Sequence, residues 1–248
     1  MKRSRFTSLL FCTAMVLFLA SCGGNESKEK STGTDSTSTT DTSATAVTTP
    51  ASTIITTPQN MMAVMHKVKD FAKWQASYDE HDSMRLANGI HSYVIGRGFT
   101  DSNLLFVAVK VEDMDKAKAF AKDPSLKNAM QKGGVIGAPA ISFVTIVWQD
   151  TAVISPTLRS RTTFTVKDWD TWQKNFEANK QERLDNGIID RAYGHDADDN
   201  KKVTLVTAVA DTAKAFAYYK SDALKQRRAA GGVIGEPKRY LYYIVKRY

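Results

Sequence analysis

The residues best suited to chemistry lie along one predicted helix, where aromatic and titratable side chains recur at three- and four-residue steps. They are Phe71, Trp74, Tyr78, His81 and Arg85. This spacing puts all five near one face of a helix, and that face changes from apolar to polar toward its C-terminal end. Such a face is suited to line a pocket between a helix and a sheet, with Arg85 available to a carboxylate or enolate oxygen. We therefore take Trp74, Tyr78, His81 and Arg85 as candidate ligand-binding residues.

A related set follows 98 residues later, on another predicted helix. Its members are Trp172, Phe176, Asn179 and Arg183, which we also take as candidate ligand-binding residues. Both sets keep the arginine, whereas the histidine is replaced by Asn179. A structural interpretation is open for both arginines, because a cation at a helix C-terminus interacts favourably with the helix dipole and bonds backbone carbonyls. We favour that interpretation for Arg85 and Arg183.

Among these side chains, that of His81 is compatible with the largest number of chemical roles. It is suited to act as a general base near neutral pH or as an axial haem ligand, and it is also compatible with a plain interface residue. The other histidines, His66, His91 and His195, lack the i, i+4 spacing of a helical metal site. The sequence thus predicts no metal site and no cofactor, with haem as the alternative, and leaves open whether the protein is an enzyme.

The chain contains an internal duplication. Gly133 to Pro139 returns 98 residues later as Gly231 to Pro237, and the two copies align without a gap from Met65 to Asp150. We predict a first repeat at 61–158 and a second at 159–248, each of the size of a small domain. The Gly-Gly-Val-Ile-Gly-x-Pro stretch precedes a predicted strand and lacks a Gly-Lys-Ser/Thr ending, so we interpret it as structural. On that interpretation Val and Ile fill the core and Pro begins an edge strand.

Each copy has the predicted element order βαββαβ. In the first copy the elements are a strand at 61–68, a helix at 70–87, strands at 90–99 and 104–111, helices at 113–122 and 123–132, and a strand at 141–148. This order is that of a ferredoxin-like unit, an antiparallel sheet with both main helices on one face. We predict an α+β fold in which the two repeats pack sheet to sheet as an intrachain pseudo-dimeric α/β barrel, because this buries both bare sheet faces.

Three motifs carry a resemblance to a known superfamily. They are Val-Lys-Asp-Phe-x-x-Trp from Val68, Tyr-Asp-Glu-His-x-x-x-Arg-x-x-x-Gly from Tyr78, and the Gly-rich stretch from Gly133. With them, residues 61–248 resemble the dimeric α/β barrel superfamily, particularly small bacterial proteins of unassigned function, here fused in tandem. The resemblance implies the fold. Its members include cofactor-free monooxygenases, polyketide cyclases, haem enzymes and proteins with no known activity, so it does not choose among functions.

The N-terminal residues have the pattern of a processing signal. Lys2, Arg3 and Arg5 precede an apolar run at 6–20, and Leu19-Ala20-Ser21-Cys22 resembles a bacterial lipobox. We predict a lipoprotein signal peptide at 1–21, lipidation (palmitate) of Cys22, and a disordered Ser/Thr-rich tether at 22–60. The expected location is the cell envelope, anchored to a membrane through the lipid. Gly23 favours the outer membrane over the inner one.

Charge and cysteine content exclude several classes of function. The net charge of +8 falls to about +5 without the three cations of the signal, which is too mild to predict a nucleic-acid partner. The repeats contain no cysteine, so no disulfide or thiolate site is expected in them. We predict a lipid-anchored envelope protein that binds a small or hydrophobic ligand or has an accessory role. The alternatives are a monooxygenase-, cyclase- or haem-type enzyme with its pocket in the first repeat, and a structural or partner-binding module.

Overall fold

The structure is a computed structural model that describes residues 52–248. The predicted signal peptide, Cys22 and the tether up to residue 51 lie outside the described residues. Among residues 52–248 no helix is both long and apolar enough to cross a membrane.

Both repeats have the predicted βαββαβ order, preceded by a short strand. The first repeat contains β1 (Ile54–Ile55), β2 (Gln59–Val68), α1 (Phe71–Glu80), α2 (Asp82–Leu86), β3 (Ile90–Gly98), β4 (Leu104–Val111), α3 (Met114–Phe120), α4 (Pro124–Lys132) and β5 (Val135–Asp150). The second contains β6 (Leu158–Val166), α5 (Trp169–Ala178), α6 (Lys180–Asp185), β7 (Ile188–Asp196), β8 (Lys202–Val209), α7 (Thr212–Tyr219), α8 (Asp222–Ala230) and β9 (Val233–Arg247).

The strands form one antiparallel sheet that closes on itself. Each repeat supplies four strands in ferredoxin-like order, β5-β2-β4-β3 and β9-β6-β8-β7. Two seams join the repeats, since β3 pairs with β9 and β5 pairs with β7. Closure removes the exposed strand edges that an open sheet would present. The predicted α+β fold of two ferredoxin-like repeats in an intrachain barrel is confirmed.

Strand alternation divides the core into an outer and an inner layer. On β2, Met62 and Val64 pack against Trp74 and Phe120 of the covering helices. The intervening Met61 and Ala63 face the interior of the barrel, where they meet Tyr242 of the second repeat. Successive side chains of a strand point to opposite faces, so a single strand supplies both layers. The two layers contain separate cavities.

The long helix predicted at 70–87 is interrupted at His81. His81 has φ −92° and ψ 22°, and it ends α1 and begins α2. The second repeat is interrupted at the equivalent Asn179, with φ −101° and ψ 23°. At both positions the side chain bonds the carbonyl oxygen four residues back, at 2.7 Å to Ser77 and 2.6 Å to Asn175. A polar side chain that bonds the helix backbone in this way competes with regular helix hydrogen bonding.

Residues 54–60, which precede the repeat boundary predicted at residue 61, already contain regular structure. Ile54 and Ile55 pair with Asp150 and Gln149 of β5, and β2 starts at Gln59. The end of the predicted tether is therefore too late, because β5 is longer than predicted and offers backbone partners to this segment.

In the glycine-rich stretch, residues 133–139, the places of Ile136 and Pro139 differ from those predicted. β5 already begins at Val135, and Ile136 is 43% exposed, so Ile136 does not fill the core. Gly137, with φ 71°, belongs to an irregular part of β5 between Ile136 and Ala140, which pair with Lys67 and Met65. Pro139 therefore occupies a bulge rather than the start of an edge strand, a place where its missing N–H is tolerated. The bulge lies opposite His66.

Candidate functional site

The first repeat contains an open cleft between its helices and the outer face of its sheet. We call it the first cleft, and it holds about 650 Å³ of space not filled by atoms, open solvent included. Its lining is mostly apolar: Met62, Val64, Trp74, Met84, Val107, Val109, Phe120, Leu126, Ala129, Met130 and Ile141, with Ser77, Tyr78, Gly133, His66, His81 and Arg85. The structure thus brings the four candidate residues of the first repeat together in one cleft. Three methionines in its lining offer flexible, polarisable contact surface.

His66, a histidine without the spacing of a metal site, forms part of the floor of the first cleft. It shares the helix-facing side of β2 with Met62 and Val64, and it is 4% exposed. Its ring lies 5.3 Å from that of Trp74, and neither ring nitrogen has a hydrogen-bond partner among the described residues. Burial lowers the pKa of His66 to about 4, so the imidazole is neutral near pH 7. The sequence feature that indicates this position is a histidine on the apolar face of a strand.

Because His66 is buried in its neutral form, the free energy of unfolding depends on pH. The pKa is about 4 in the folded chain and 6.5 when unperturbed, so between these values the unfolded chain binds a proton that the folded chain does not. The free energy of unfolding should therefore fall by about 1.5 kcal/mol from pH 6.5 to about pH 5. Chemical denaturation of wild type and His66→Phe at both pH values checks this. A His66→Phe protein with the same pH dependence as wild type would contradict it.

Arg85 is not free to bind a ligand carboxylate. It is 6% exposed, and its Nη1 donates to the carbonyl of Tyr78 at 2.6 Å while Nη2 donates to Asp82 at 2.9 Å. The guanidinium carbon lies 3.7 Å from the centre of the Tyr78 ring. The bond to the Tyr78 carbonyl is the backbone contact that the structural interpretation predicts, and the bond to Asp82 adds an acidic partner.

Tyr78 is also committed to the protein itself. Its hydroxyl shares a 2.8 Å hydrogen bond with Ser92 Oγ on β3, and its ring stacks on Trp74 with centroids 5.1 Å apart. Burial raises the pKa of Tyr78, so the phenol stays protonated. Tyr78 therefore supplies the first cleft with an apolar ring face rather than with a reactive oxygen.

His81 keeps one ring nitrogen available. Its Nδ1 lies 2.7 Å from the carbonyl oxygen of Ser77, and a carbonyl only accepts, so Nδ1 carries the hydrogen. In the neutral ring Nε2 is then an acceptor. Of the four candidate residues, His81 is the one whose geometry leaves a group able to take a proton or a hydrogen bond from a ligand.

The second repeat has the equivalent cleft, which we call the second cleft, with about 700 Å³ of comparable space. Trp172, Phe176, Asn179 and Arg183 all line it, and Phe164 stands where the first repeat has His66. Arg183 donates from Nη1 to the carbonyl of Phe176 at 2.6 Å. It also forms two hydrogen bonds to Asp190, from Nε at 2.8 Å and from Nη2 at 2.6 Å. The structure therefore commits Arg183, like Arg85, to contacts within the fold.

The two clefts differ in charge. At the positions of Ala129, Met130 and Ile141 in the first cleft, the second cleft has Arg227, Arg228 and Arg239. Arg239 stacks on Tyr219, 3.4 Å from its ring centre, and burial lowers the pKa of Arg239 to about 10. Besides the equivalent Arg85 and Arg183, the second cleft therefore has three arginines and no imidazole, whereas the first has two imidazoles and no further cation among its lining residues.

The remaining histidines lie apart from both clefts. His91 meets Glu112 at 2.7 Å on the surface, and His195 packs edge-on against Trp169 with centroids 4.9 Å apart. Within the described range, 52–248, no group of three or more His, Cys, Asp or Glu side chains is arranged to hold a metal ion.

Haem, which the resemblance implies for part of its superfamily, does not fit the first cleft as these side chains lie. An axial histidine needs open space beside the ligating nitrogen, whereas both ring nitrogens of His66 are enclosed by protein. His81 has Nε2 available, but Arg85, the cation in this lining, is already bound to Asp82 and to the Tyr78 carbonyl. A haem propionate would lack a partner there.

Comparison with known proteins supports the fold and goes no further. No protein-family model and no curated protein matches this sequence. An anthrone oxidase-like protein is 15% identical with a TM-score of 0.52, and the match covers 79% of this chain and 95% of that one. A putative chlorite dismutase is 16% identical with a TM-score of 0.50, covering 75% and 95%. A putative monooxygenase from Fusobacterium nucleatum is 11% identical with a TM-score of 0.50, covering 77% and 93%. These matches show a tandem dimeric α/β barrel fold.

Proposed function

We propose that the protein binds a small hydrophobic ligand in the first cleft. The observation that carries the proposal is the contrast between the clefts: Ala129, Met130 and Ile141 make the first one apolar where arginines line the second. Binding sites for small molecules are concave and mostly apolar, with a few polar groups that set orientation. His81, whose Nε2 is available, is such a group here, and His66 adds a buried imidazole to the floor of the cleft.

We also propose that this ligand is bound at the cell envelope, with the chain anchored to a membrane through lipidated Cys22. The support is the sequence of residues 1–22, namely the basic start, the apolar run and the lipobox-like Leu-Ala-Ser-Cys. The outer membrane is the preferred location because Gly follows the cysteine.

Mass spectrometry of the full chain, purified gently from the membrane fraction of its host, tests both statements. Under denaturing conditions we expect a chain that begins at Cys22 and carries added acyl groups. Under native conditions we expect one additional noncovalent mass of an apolar metabolite. An unlipidated chain would overturn the anchor. A chain without a ligand, or one that carries haem, would overturn the proposed use of the first cleft.

Exchanging residues between the repeats locates the ligand. Met130→Arg introduces the cation that the second cleft has at this position, and we expect it to reduce the bound fraction at least tenfold, because a desolvated charge would face an apolar ligand. Arg228→Met is the matched control in the second cleft, and it should keep the ligand. Loss of the ligand in Arg228→Met with retention in Met130→Arg would move the site to the second repeat.

Catalysis in the first cleft is a second candidate function. The observation that favours it is the orientation of His81, whose Nε2 is free to accept a proton while Ser77 holds Nδ1–H. If His81 is a general base, His81→Asn will retain the co-purified ligand and fail to convert it, while Asn179→Ala in the second cleft will behave as wild type. Equal conversion by all three proteins, or conversion by none, would count against a base at His81.

A further inference from the structure

The interior of the barrel is a third cavity, separate from both clefts. It lies between the inner faces of the two four-stranded halves of the closed sheet and holds about 670 Å³ of space not filled by atoms, open solvent included. Four arginines line it, namely Arg159, Arg161, Arg191 and Arg247, whereas Asp150 is the carboxylate among the described lining residues.

The positive charge belongs to one repeat. The residues of the first repeat at the positions of these arginines are Met61, Ala63, Tyr93 and Gln149, which carry no charge. Each of these residues also lines the interior. The two halves of the cavity therefore differ, one being apolar and aromatic and the other cationic.

Arg191 is the arginine of this group that has an acidic partner. It donates to Asp150 at 2.6 Å and to the carbonyl of Ala152. Arg247 is exposed at the end of β9. Neither Arg159 nor Arg161 has a carboxylate within ion-pair distance among residues 52–248.

Arg159 is buried and Arg161 is half-buried, and neither of these two interior cations has an anionic partner among residues 52–248. Arg159 is 2% exposed, and its hydrogen bonds run from Nη1 to the carbonyls of Pro156 at 2.5 Å and Leu158 at 3.2 Å. Arg161 donates from Nη2 to Ser142 Oγ at 3.3 Å, while its buried Nε has no partner. Burial lowers the pKa of both guanidinium groups, and that of Arg159 falls to about 10. Holding such charges away from water is costly unless an anion pairs with them.

The spacing of the two arginines suits an oxyanion. They stand two positions apart on β6, so both point to the interior about 7 Å apart along the strand. Guanidinium groups donate in a planar fork that matches a carboxylate. Phe106 and Tyr242 lie beside them, with the Arg161 guanidinium 5.7 Å from the centre of the Phe106 ring. Aromatic walls next to paired cations favour an anion with an apolar body.

We propose that the barrel interior binds a small organic carboxylate. Its carboxylate group lies between Arg159 and Arg161, and its apolar part contacts Phe106 and Tyr242. This site is independent of the ligand proposed for the first cleft, because the two cavities open on opposite faces of β2.

Thermal unfolding of the full chain in benzoate and in hexanoate tests the proposal, with sodium chloride at matched ionic strength. We expect either carboxylate to raise Tm saturably, by roughly 5 °C or more at a hundredfold excess over Kd. Benzyl alcohol, the uncharged analogue of benzoate, should not produce this shift. No saturable rise with either carboxylate, or an equal rise with benzyl alcohol, would overturn the proposal.

The residues at the equivalent positions of the first repeat indicate which substitutions to use in the same experiment. Arg159→Met with Arg161→Ala copies Met61 and Ala63. At the same carboxylate concentration its Tm shift should fall to half of the wild-type shift or less, because the affinity is at least tenfold weaker. Without carboxylate this double variant should unfold at the same Tm as wild type or higher, because two largely desolvated charges without anions are gone. Arg239→Ile and Met130→Arg change the clefts and should keep the shift. A double variant that keeps the shift, or that unfolds far below wild type without carboxylate, would mean that the arginines are structural.

Discussion

Replacing Asp190 with Ser should lower the free energy of unfolding by about 3–5 kcal/mol, because it leaves Arg183 buried without an anion. Asp190 on β7 is 8% exposed and accepts two hydrogen bonds from Arg183, at 2.8 Å and 2.6 Å. Serine is the natural choice, since Ser92 occupies the equivalent position in the first repeat. Urea unfolding of the full chain, followed by tryptophan fluorescence, measures the change.

Asp82→Ser is the matched control in the first repeat. Asp82 pairs with Arg85, but the Asp82 side chain is 47% exposed. In the Asp82→Ser variant, water can therefore replace much of the stabilisation that the carboxylate gives to Arg85. An ion pair of this kind contributes about 0–1 kcal/mol. If Asp190→Ser destabilises the chain no more than Asp82→Ser does, the buried pair is not the strong contact inferred here.

Gly194→Ala should cost about 3 kcal/mol or more in the free energy of unfolding, because it forces apart one seam of the barrel. A Cβ at Gly194 on β7 would lie 2.0 Å from the carbonyl oxygen of Thr145 and 2.7 Å from Cα of Ile146, both on β5. These are backbone atoms, which move only if the β5–β7 pairing opens. The thermal midpoint and urea midpoint of the variant check the prediction.

Alanine substitutions at two further glycines provide comparisons for Gly194→Ala. Gly96 is the equivalent position on the other seam, where a Cβ would lie 2.2 Å from the Tyr242 ring. A buried side chain can move aside more readily than backbone, so Gly96→Ala should destabilise the chain less than Gly194→Ala. Gly137 has nothing within 4 Å of an added Cβ, so Gly137→Ala bears only the strain of φ +71°, about 1–2 kcal/mol. A Gly194→Ala protein as stable as Gly137→Ala would show that the β5–β7 seam tolerates separation.

Both seams make the two repeats parts of one cooperative structure. β5 and β9 each begin in their own repeat, where they pair with β2 and β6, and then continue into pairing with β7 and β3 of the other repeat. A disturbance at a seam therefore affects both sheets. We expect the described part of the chain to unfold in one transition, without a stable single repeat.

Much of the fold was predictable because its signals are local. An aspartate just before a helical run predicts an N-cap, and the side chains of Asp70 and Asp123 accept from Lys73 N and Ser125 N, each at 2.7 Å. Asn-Gly after a helix predicts a left-handed glycine, and Gly89 has φ 65°. Caps and turns of this kind depend on residues within a few positions of one another.

The candidate site was predictable in outline and not in detail. Helical spacing placed Trp74, Tyr78, His81 and Arg85 near one face, and all four line the first cleft. Which of them are available depended on contacts that no spacing shows, since Arg85 binds Asp82 and Tyr78 bonds Ser92. His66 was missed because its importance arises from burial among residues of other elements.

The duplication, the element order and the alternation of faces follow from the amino-acid sequence alone, because they are periodic properties of the chain. Which strands meet at the seams, and so which side chains share the barrel interior, depends on contacts between residues far apart in the sequence. Arg159 and Arg161 lie on one strand, but only closure brings Phe106 from β4 and Tyr242 from β9 beside them. Such groupings depend on strand register, and a shift of one residue would turn each side chain to the opposite face of the sheet.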